Sequence, residues 1–244
     1  AARPYASKMG ELLGHLAAAT REDGAGHPLL VRREGPRRQI VVITADRGLA
    51  GAFNANVIRR ALELIRASHQ PDVTLVAVGR KGRDHLRRRG VALEGEYVFL
   101  GDNISFTRAR QIARDLMDLF IRGRVDEVHL VYSLFVSAGV QRPVAVRLLP
   151  VVREAGEGAA PRPEGADGEA DYVYEPSPAA VLGTLLPRFV EMQVYHAVLE
   201  NIASEQSARM VAMRNATENA KEMVEELTLT MNKIRQETIT KELL

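Results

Sequence analysis

The sequence predicts an α/β fold: a three-layer domain inserted between the N- and C-terminal helices of an antiparallel coiled coil. Three observations carry this reading. Between residues 39 and 152, short runs of β-branched residues alternate with stretches of helical period. From residue 178 to residue 244 one helical pattern continues and settles into heptads. A shorter stretch with the same spacing opens the chain.

In the opening stretch, residues 1–20, Tyr5, Met9, Leu12 and Leu16 recur at steps of four, three and four, the spacing of a coiled-coil seam. Residues 21–38 then place Gly24, Gly26, Pro28, Gly35 and Pro36 among charges, which predicts a loop. Residues 40–44 and 73–78 are apolar runs of the kind found in parallel strands buried on both faces. Each precedes a predicted helix, the first over 54–67 with Val57, Ala61, Leu64 and Ile65 on one side, the second over 82–89. Thr107 is read as the cap of a third helix, along which Ile112, Leu116, Leu119 and Phe120 share a face. Residues 128–134 form another buried strand, and 141–152 an edge strand, since Pro143 and Pro150 cannot donate to a ladder. Strand–helix alternation with short connections is the pattern of a doubly wound, Rossmann-like domain over 39–152.

A linker and edge segment follows over 153–177. Its Gly, Ala, Pro and acidic residues are too polar to pack, with a small edge strand possible only at Tyr172, Val173 and Tyr174. Ser177 before Pro178 marks a helix start: the hydroxyl caps, and the proline sits where its missing N–H costs nothing. Gly183 and Pro187 predict a kink or restart near Pro187. The 58 residues beyond Leu186 would span roughly 87 Å as a continuous helix. Between Val181 and Ile202 the apolar stripe is wide enough to pack on the α/β domain. After Arg209 it narrows to Met210, Met213, Thr217, Ala220, Val224, Leu227, Met231, Ile234 and Thr238, a regular heptad seam weakened by its Thr and Ala members. Pairing with the opening helix would leave most of this seam bare, and so long an apolar stripe needs cover. Either another chain supplies it, or a helix upstream of Ala1 pairs with residues 213–238; the second is the expectation.

Composition excludes several classes. There is no Cys, hence no disulfide, thiolate catalysis or cysteine metal site. No apolar run approaches the ~20 residues needed to span a bilayer, so no direct membrane insertion is expected. Aromatics are 5% with no Trp, too few for a base-stacking surface, and a net charge of +2 does not mark a nucleic-acid protein.

No enzyme site emerges, and no cofactor is expected. The first βα turn, TADRGLAG over residues 44–51, lies where doubly wound folds bind nucleotides, but it has neither glycine-rich phosphate motif. The second turn, Gly79 to Gly82, is basic and equally incomplete. Structural turns are the favoured reading of both. The cluster Arg80, Lys81, Arg83, Arg87, Arg88 and Arg89 has no aromatic neighbour between Phe53 and Tyr97 and reads as a solvated face. The six histidines (15, 27, 69, 85, 129 and 196) are scattered, with no carboxylate partner at ligand spacing. Ser133 and Ser137 lack a nucleophile elbow. On residues alone, a nucleotide-binding α/β protein with a coiled-coil scaffold and a nucleic-acid-binding scaffold stay open as alternatives.

Three blocks add a resemblance. Residues 43–51, ITADRGLAG, resemble the I-T-S-D-R-G-L-x-G segment of F-type ATP synthase γ subunits. Residues 204–219 are similar to the A-S-E-x-x-A-R-M-x-A-M-x-x-A-T-x-N block of that family, and residues 232–243 to its N-K-x-R-Q-x-x-I-T-x-E-L terminus. Against the family pattern, the chain is expected to lack the first part of the N-terminal helix and the extreme C-terminal tail. Ala50 stands where a cysteine is common.

The resemblance implies a non-catalytic central shaft, turning within a hexamer of alternating α and β subunits. Arg235, Gln236, Thr240 and Glu242 match positions that grip a β-subunit loop. Tyr172, Tyr174 and Glu175 match the foot that rests on the membrane c-ring beside the ε subunit. The implied location is peripheral, on the cytoplasmic face of a bacterial plasma membrane.

Overall fold

The computed structural model describes residues 27–33, 35–68, 72–98, 104–151 and 177–243. The predicted opening helix and the linker up to residue 176, with Tyr172, Tyr174 and Glu175, lie outside these. Among the described residues a five-stranded sheet has the order β3-β2-β1-β4-β5. β1 (Arg38–Ile43) is central and runs parallel to β2 (Val73–Val78) and β4 (Glu127–Ser137). β3 (Gly95–Tyr97) continues the parallel set at one edge, while β5 (Val140–Leu149) closes the other edge antiparallel to β4.

Connectivity follows from direction. Parallel neighbours need a crossover, and helices α1 (Phe53–Ser68), α2 (Arg80–Arg88) and α3 (Phe106–Ile121) supply them. The antiparallel β4–β5 pair needs only the tight turn at Ala138 and Gly139.

The apolar runs are continuous because both faces of the sheet are covered. Ile40, Val42, Leu75 and Val131 pack under Val57 and Ala61 of α1 and Leu86 of α2. Alternate residues Val41, Ile43, Val76, Val78 and Leu130 point the other way. They meet Ile112, Leu116 and Phe120 of α3 and the first half of a long helix, α4 (Pro178–Leu243). Helices on both faces of a mostly parallel sheet give three layers around one core.

Three details differ from expectation. α3 is capped by Ser105, not Thr107. Ser105 has extended backbone and its Oγ accepts the Arg108 N–H at 3.3 Å, whereas Thr107 already lies inside the first turn. The short strand β3 has no counterpart in the sequence reading. Lastly, α4 neither stops nor restarts at Pro187. A helical proline lacks an N–H and crowds the carbonyl four residues back, so one helical bond is missing here. Leu182, Leu186 and Val190, all buried in the core, hold the helix through the missing bond.

The start of α4 is as expected: Ser177 Oγ accepts the Ala180 N–H at 3.2 Å. Its 66 residues extend about 99 Å at 1.5 Å rise per residue. The first half is domain core; Leu182, Leu186, Val190, Val194, Ala197 and Val198 are at most 2% exposed. The second half is bare among the described residues. Val224, Leu227, Met231 and Ile234, all seam positions, are 57–62% exposed.

Candidate functional site

The carboxyl ends of β1 and β4 form the crevice in which doubly wound folds seat ligands. Both turns that would cradle a phosphate are used internally. At the start of α2, Arg80 N–H donates to Asp46 Oδ1 at 2.9 Å, Lys81 N–H to the Ala45 carbonyl at 3.0 Å, and Gly82 N–H to Thr44 Oγ1 at 2.8 Å. A helix N-terminus attracts anions through unsatisfied N–H groups, and these three are satisfied by the first turn. On the α1 side, Asn54 Oδ1 accepts the Ala45 N–H at 2.9 Å. Gly79 has φ 96°, and a Cβ there would lie 2.2 Å from the Thr44 carbonyl oxygen. The glycines of the second turn thus serve close packing of one turn on the other, as the structural reading expected.

α4 walls one side of the crevice, leaving a cavity of about 270 Å³ lined by Ala52, Phe53, Ser133, Pro143, Ala208 and Ala212. β1 ends at Ile43, while β4 runs on to Ser137, so the β1-facing backbone groups of β4 lose their strand partner. Side chains of α4 replace it. Ser133 N–H donates to Asn201 Oδ1 at 3.2 Å, Ser204 Oγ–H donates to the Ser133 carbonyl at 3.0 Å, and Phe135 N–H donates to Glu200 Oε2 at 3.0 Å. Acceptor, donor and acceptor on one helix face thus stand in for an edge of sheet. Asn201, Ser204 and Ser133 are at most 1% exposed. The same geometry explains Pro143 in β5. It pairs with Ser133, whose N–H points away toward α4, so no ladder donor is required of the proline.

The junction continues one turn further. Arg209 pairs with Glu205 and reaches the Gly48 carbonyl at 3.4 Å. Ala208 packs on Ala45, Ala50 and Phe53, and Ser207 Oγ–H donates to the Ala138 carbonyl at 2.6 Å. The block at residues 43–51 and the block beginning at Ser204, distant in sequence, therefore meet here. Leu49, between them, has φ 62° and is 73% exposed.

Other expected sites fall out as follows. Arg235, Gln236, Thr240 and Glu242 are exposed on the last turns of α4, far from the sheet; Thr240 Oγ–H bonds back to the Gln236 carbonyl at 2.9 Å. The basic cluster on α2 is partly neutralised, by Arg87–Glu96 at 2.6 Å and Arg83–Asp84 at 2.7 Å. The expectation that no histidine has a carboxylate partner is corrected. His129 Nε2 lies 3.1 Å from Glu127 Oε2, and His196 lies 3.5 Å from Glu200, one helical turn away. Each is a pairwise contact; among the described residues no three ligating groups converge.

The sequence reading missed Glu200, Asn201 and Ser204 as a unit. The available signal was a break in the apolar stripe of α4, where polar residues take over the face that had been buried.

The family model described as ATP synthase matches residues 1–244. The chain is 50% identical over 242 residues to the ATP synthase gamma chain of Heliobacterium modesticaldum, covering 99% of this chain and 82% of that one. It is 50% identical over 249 residues to the ATP synthase gamma chain of Desulforudis audaxviator, of which it covers 83%. Among solved structures, the fold is similar to a chain in the central stalk and c-ring of the Tetrahymena thermophila mitochondrial ATP synthase (TM-score 0.59, 21% identity, 87% of this chain and 99% of that one). It is equally similar to a chain of the Euglena gracilis mitochondrial ATP synthase rotor (TM-score 0.59, 21% identity, 98% and 95% covered). With its full length matched and half its residues shared with these relatives, the chain belongs to the ATP synthase gamma chain family.

Proposed function

We propose that this chain is the non-catalytic central shaft of a rotary F-type ATP synthase, coupling proton-driven rotation of a membrane c-ring to the catalytic sites of β subunits. The observation that carries the reading is the division of α4: its first half is locked into the sheet, and its second half extends as an apolar-seamed rod. A rod rigidly joined to a body is what a torque-bearing element requires.

In this reading a Rossmann-like domain (39–152) sits between an opening helix (1–20) and the long helix (178–244), the two helices forming an antiparallel coiled coil. The linker and edge segment (153–177), through Tyr172, Tyr174 and Glu175, supplies the foot on the c-ring and the ε subunit. The seam over residues 213–238 is covered by a partner helix, and the coil turns inside the hexamer of α and β subunits. Arg235, Gln236, Thr240 and Glu242 meet a β-subunit loop. Because the shaft presents a different face to each β subunit, its angle decides which conformer each one favours. The domain resembles nucleotide binders without being one, since neither turn carries a phosphate motif and the N–H groups at the start of α2 are taken by the first turn. The complex places this chain peripherally, on the cytoplasmic face of the bacterial plasma membrane; no helix among the described residues is long and apolar enough to cross a membrane.

Reconstitution tests the reading. Mixed with α and β subunits, the chain is expected to co-purify with them and to carry a bead attached to α2 in one direction under ATP. Titrated alone with ATP or NAD, it is expected to show no binding heat. Nucleotide binding by the isolated chain, or a hexamer that turns over ATP without rotating the bead, contradicts it.

A further inference from the structure

We infer that Glu200, Asn201 and Ser204 of α4 form the torsional joint of the molecule, fixing the rotational setting of the long helix against the sheet. The inference rests on the shaft reading and adds to it where the torque is carried.

Two kinds of contact hold α4. Over its first turns, Leu182, Leu186 and Val190 pack in the apolar core. Such contacts are strong but non-directional, and they tolerate small rotations of a helix about its axis. Glu191 adds one ion pair, to Arg114 of α3 at 3.1 Å. From Glu200 onward α4 also takes hydrogen bonds from and gives them to the main chain of β4, at Ser133 N, Ser133 O and Phe135 N. Hydrogen bonds weaken steeply away from linearity, and their partners belong to a sheet that cannot rotate side chain by side chain. Both Asn201 and Ser204 are buried, at 1% and 0% exposure, so water does not stand in for a lost partner. The joint also lies near the end of the contact with the domain, one turn before Ser207, Ala208 and Arg209 make its last contacts. Torque applied along the bare half of α4 therefore reaches it within a turn of entering the domain.

The test is the torsional stiffness of the assembled complex, read from the angular fluctuations of a bead fixed to α2 while the catalytic hexamer is surface-bound. Asn201→Ala and Ser204→Ala each remove one directional bond; Ser204→Ala leaves only a carbonyl unpartnered, the milder defect, and serves if Asn201→Ala does not assemble. Leu186→Ala is the comparison, since it loses core packing but no bond to β4. Angular variance is expected to widen by about 1.5-fold in the two junction variants, as when one of three comparable restraints acting in parallel is lost. It is expected to stay at the unmodified value in Leu186→Ala. Unchanged variance in Ser204→Ala, or equal widening in Leu186→Ala, overturns the joint. Failure of the unmodified complex to rotate would instead overturn the shaft reading.

Discussion

Ser133 N–H reaches across the end of the sheet to Asn201 Oδ1 at 3.2 Å, filling the place where β1 would have continued. A helix side chain thereby completes a strand, and the length mismatch between β1 and β4 becomes the seat of α4.

Replacing Asn201 with Ala strands a buried N–H. We expect a loss of about 1–3 kcal/mol, the usual penalty for an unsatisfied buried donor. Ser204→Ala, which leaves the Ser133 carbonyl rather than an N–H without its partner, should lose less. Urea unfolding of the isolated chain measures both; equal losses would mean that packing, not the bond, sets the cost.

Glycines at two positions should respond with opposite sign. Gly79→Ala combines a positive φ with a Cβ 2.2 Å from the Thr44 carbonyl oxygen. It is expected to destabilise by at least ~1–3 kcal/mol. Gly183→Ala, an exposed helical site with nothing near its Cβ, should stabilise by roughly 0.5–1 kcal/mol. Thermal melts of the two variants decide.

His129 predicts a pH dependence. Burial holds its imidazole below the ordinary 6.5, outweighing the hydrogen bond to Glu127 that favours the charged form; Arg38 and Arg147 push in the same direction as burial. The folded state then binds fewer protons than the unfolded one. Stability is full above pH 6.5 and falls as pH drops through that value toward the folded one. In His129→Gln the slope in this window should flatten. It should not vanish, because His27 and His85 are lowered too.

Asp126 acts in a lower window. Its carboxylate takes Arg37 Nη2 at 2.7 Å, Arg37 Nε at 3.0 Å and the Arg37 N–H at 3.1 Å. The Arg37 hydrogen bond holds it below the ordinary 3.8. The associated stability is present above that pH and is lost as pH falls through the lowered value. Asp126→Asn should flatten the acid limb of a pH–stability curve below 3.8; an unaltered limb would deny the pairing its role.

Much of this fold is legible in the residues. β2 falls at 73–78 as its bounded apolar run predicts, and the cap at Ser177 is where the Ser–Pro pair places it. β3 was hidden because three residues of half-buried Gly, Glu and Tyr carry no period. Of the kink or restart predicted at Pro187, the restart does not occur, because burial of Leu182, Leu186 and Val190, which propensity does not record, carries the helix through. The junction is the deeper case. The break in the apolar stripe at Glu200, Asn201 and Ser204 was visible in the sequence, but not its use, which depends on β1 stopping short of β4, a stagger that tertiary structure alone reveals.

The most direct test of the shaft account uses the absence of native cysteine. A cysteine replaces Arg235, a second is placed in the facing loop of the β subunit, and the assembled complex is oxidised. The account predicts that a disulfide forms, that ATP-driven rotation stops with it, and that reductant restores rotation. A complex that stays intact yet forms no crosslink, or one that keeps rotating with the crosslink in place, would contradict it.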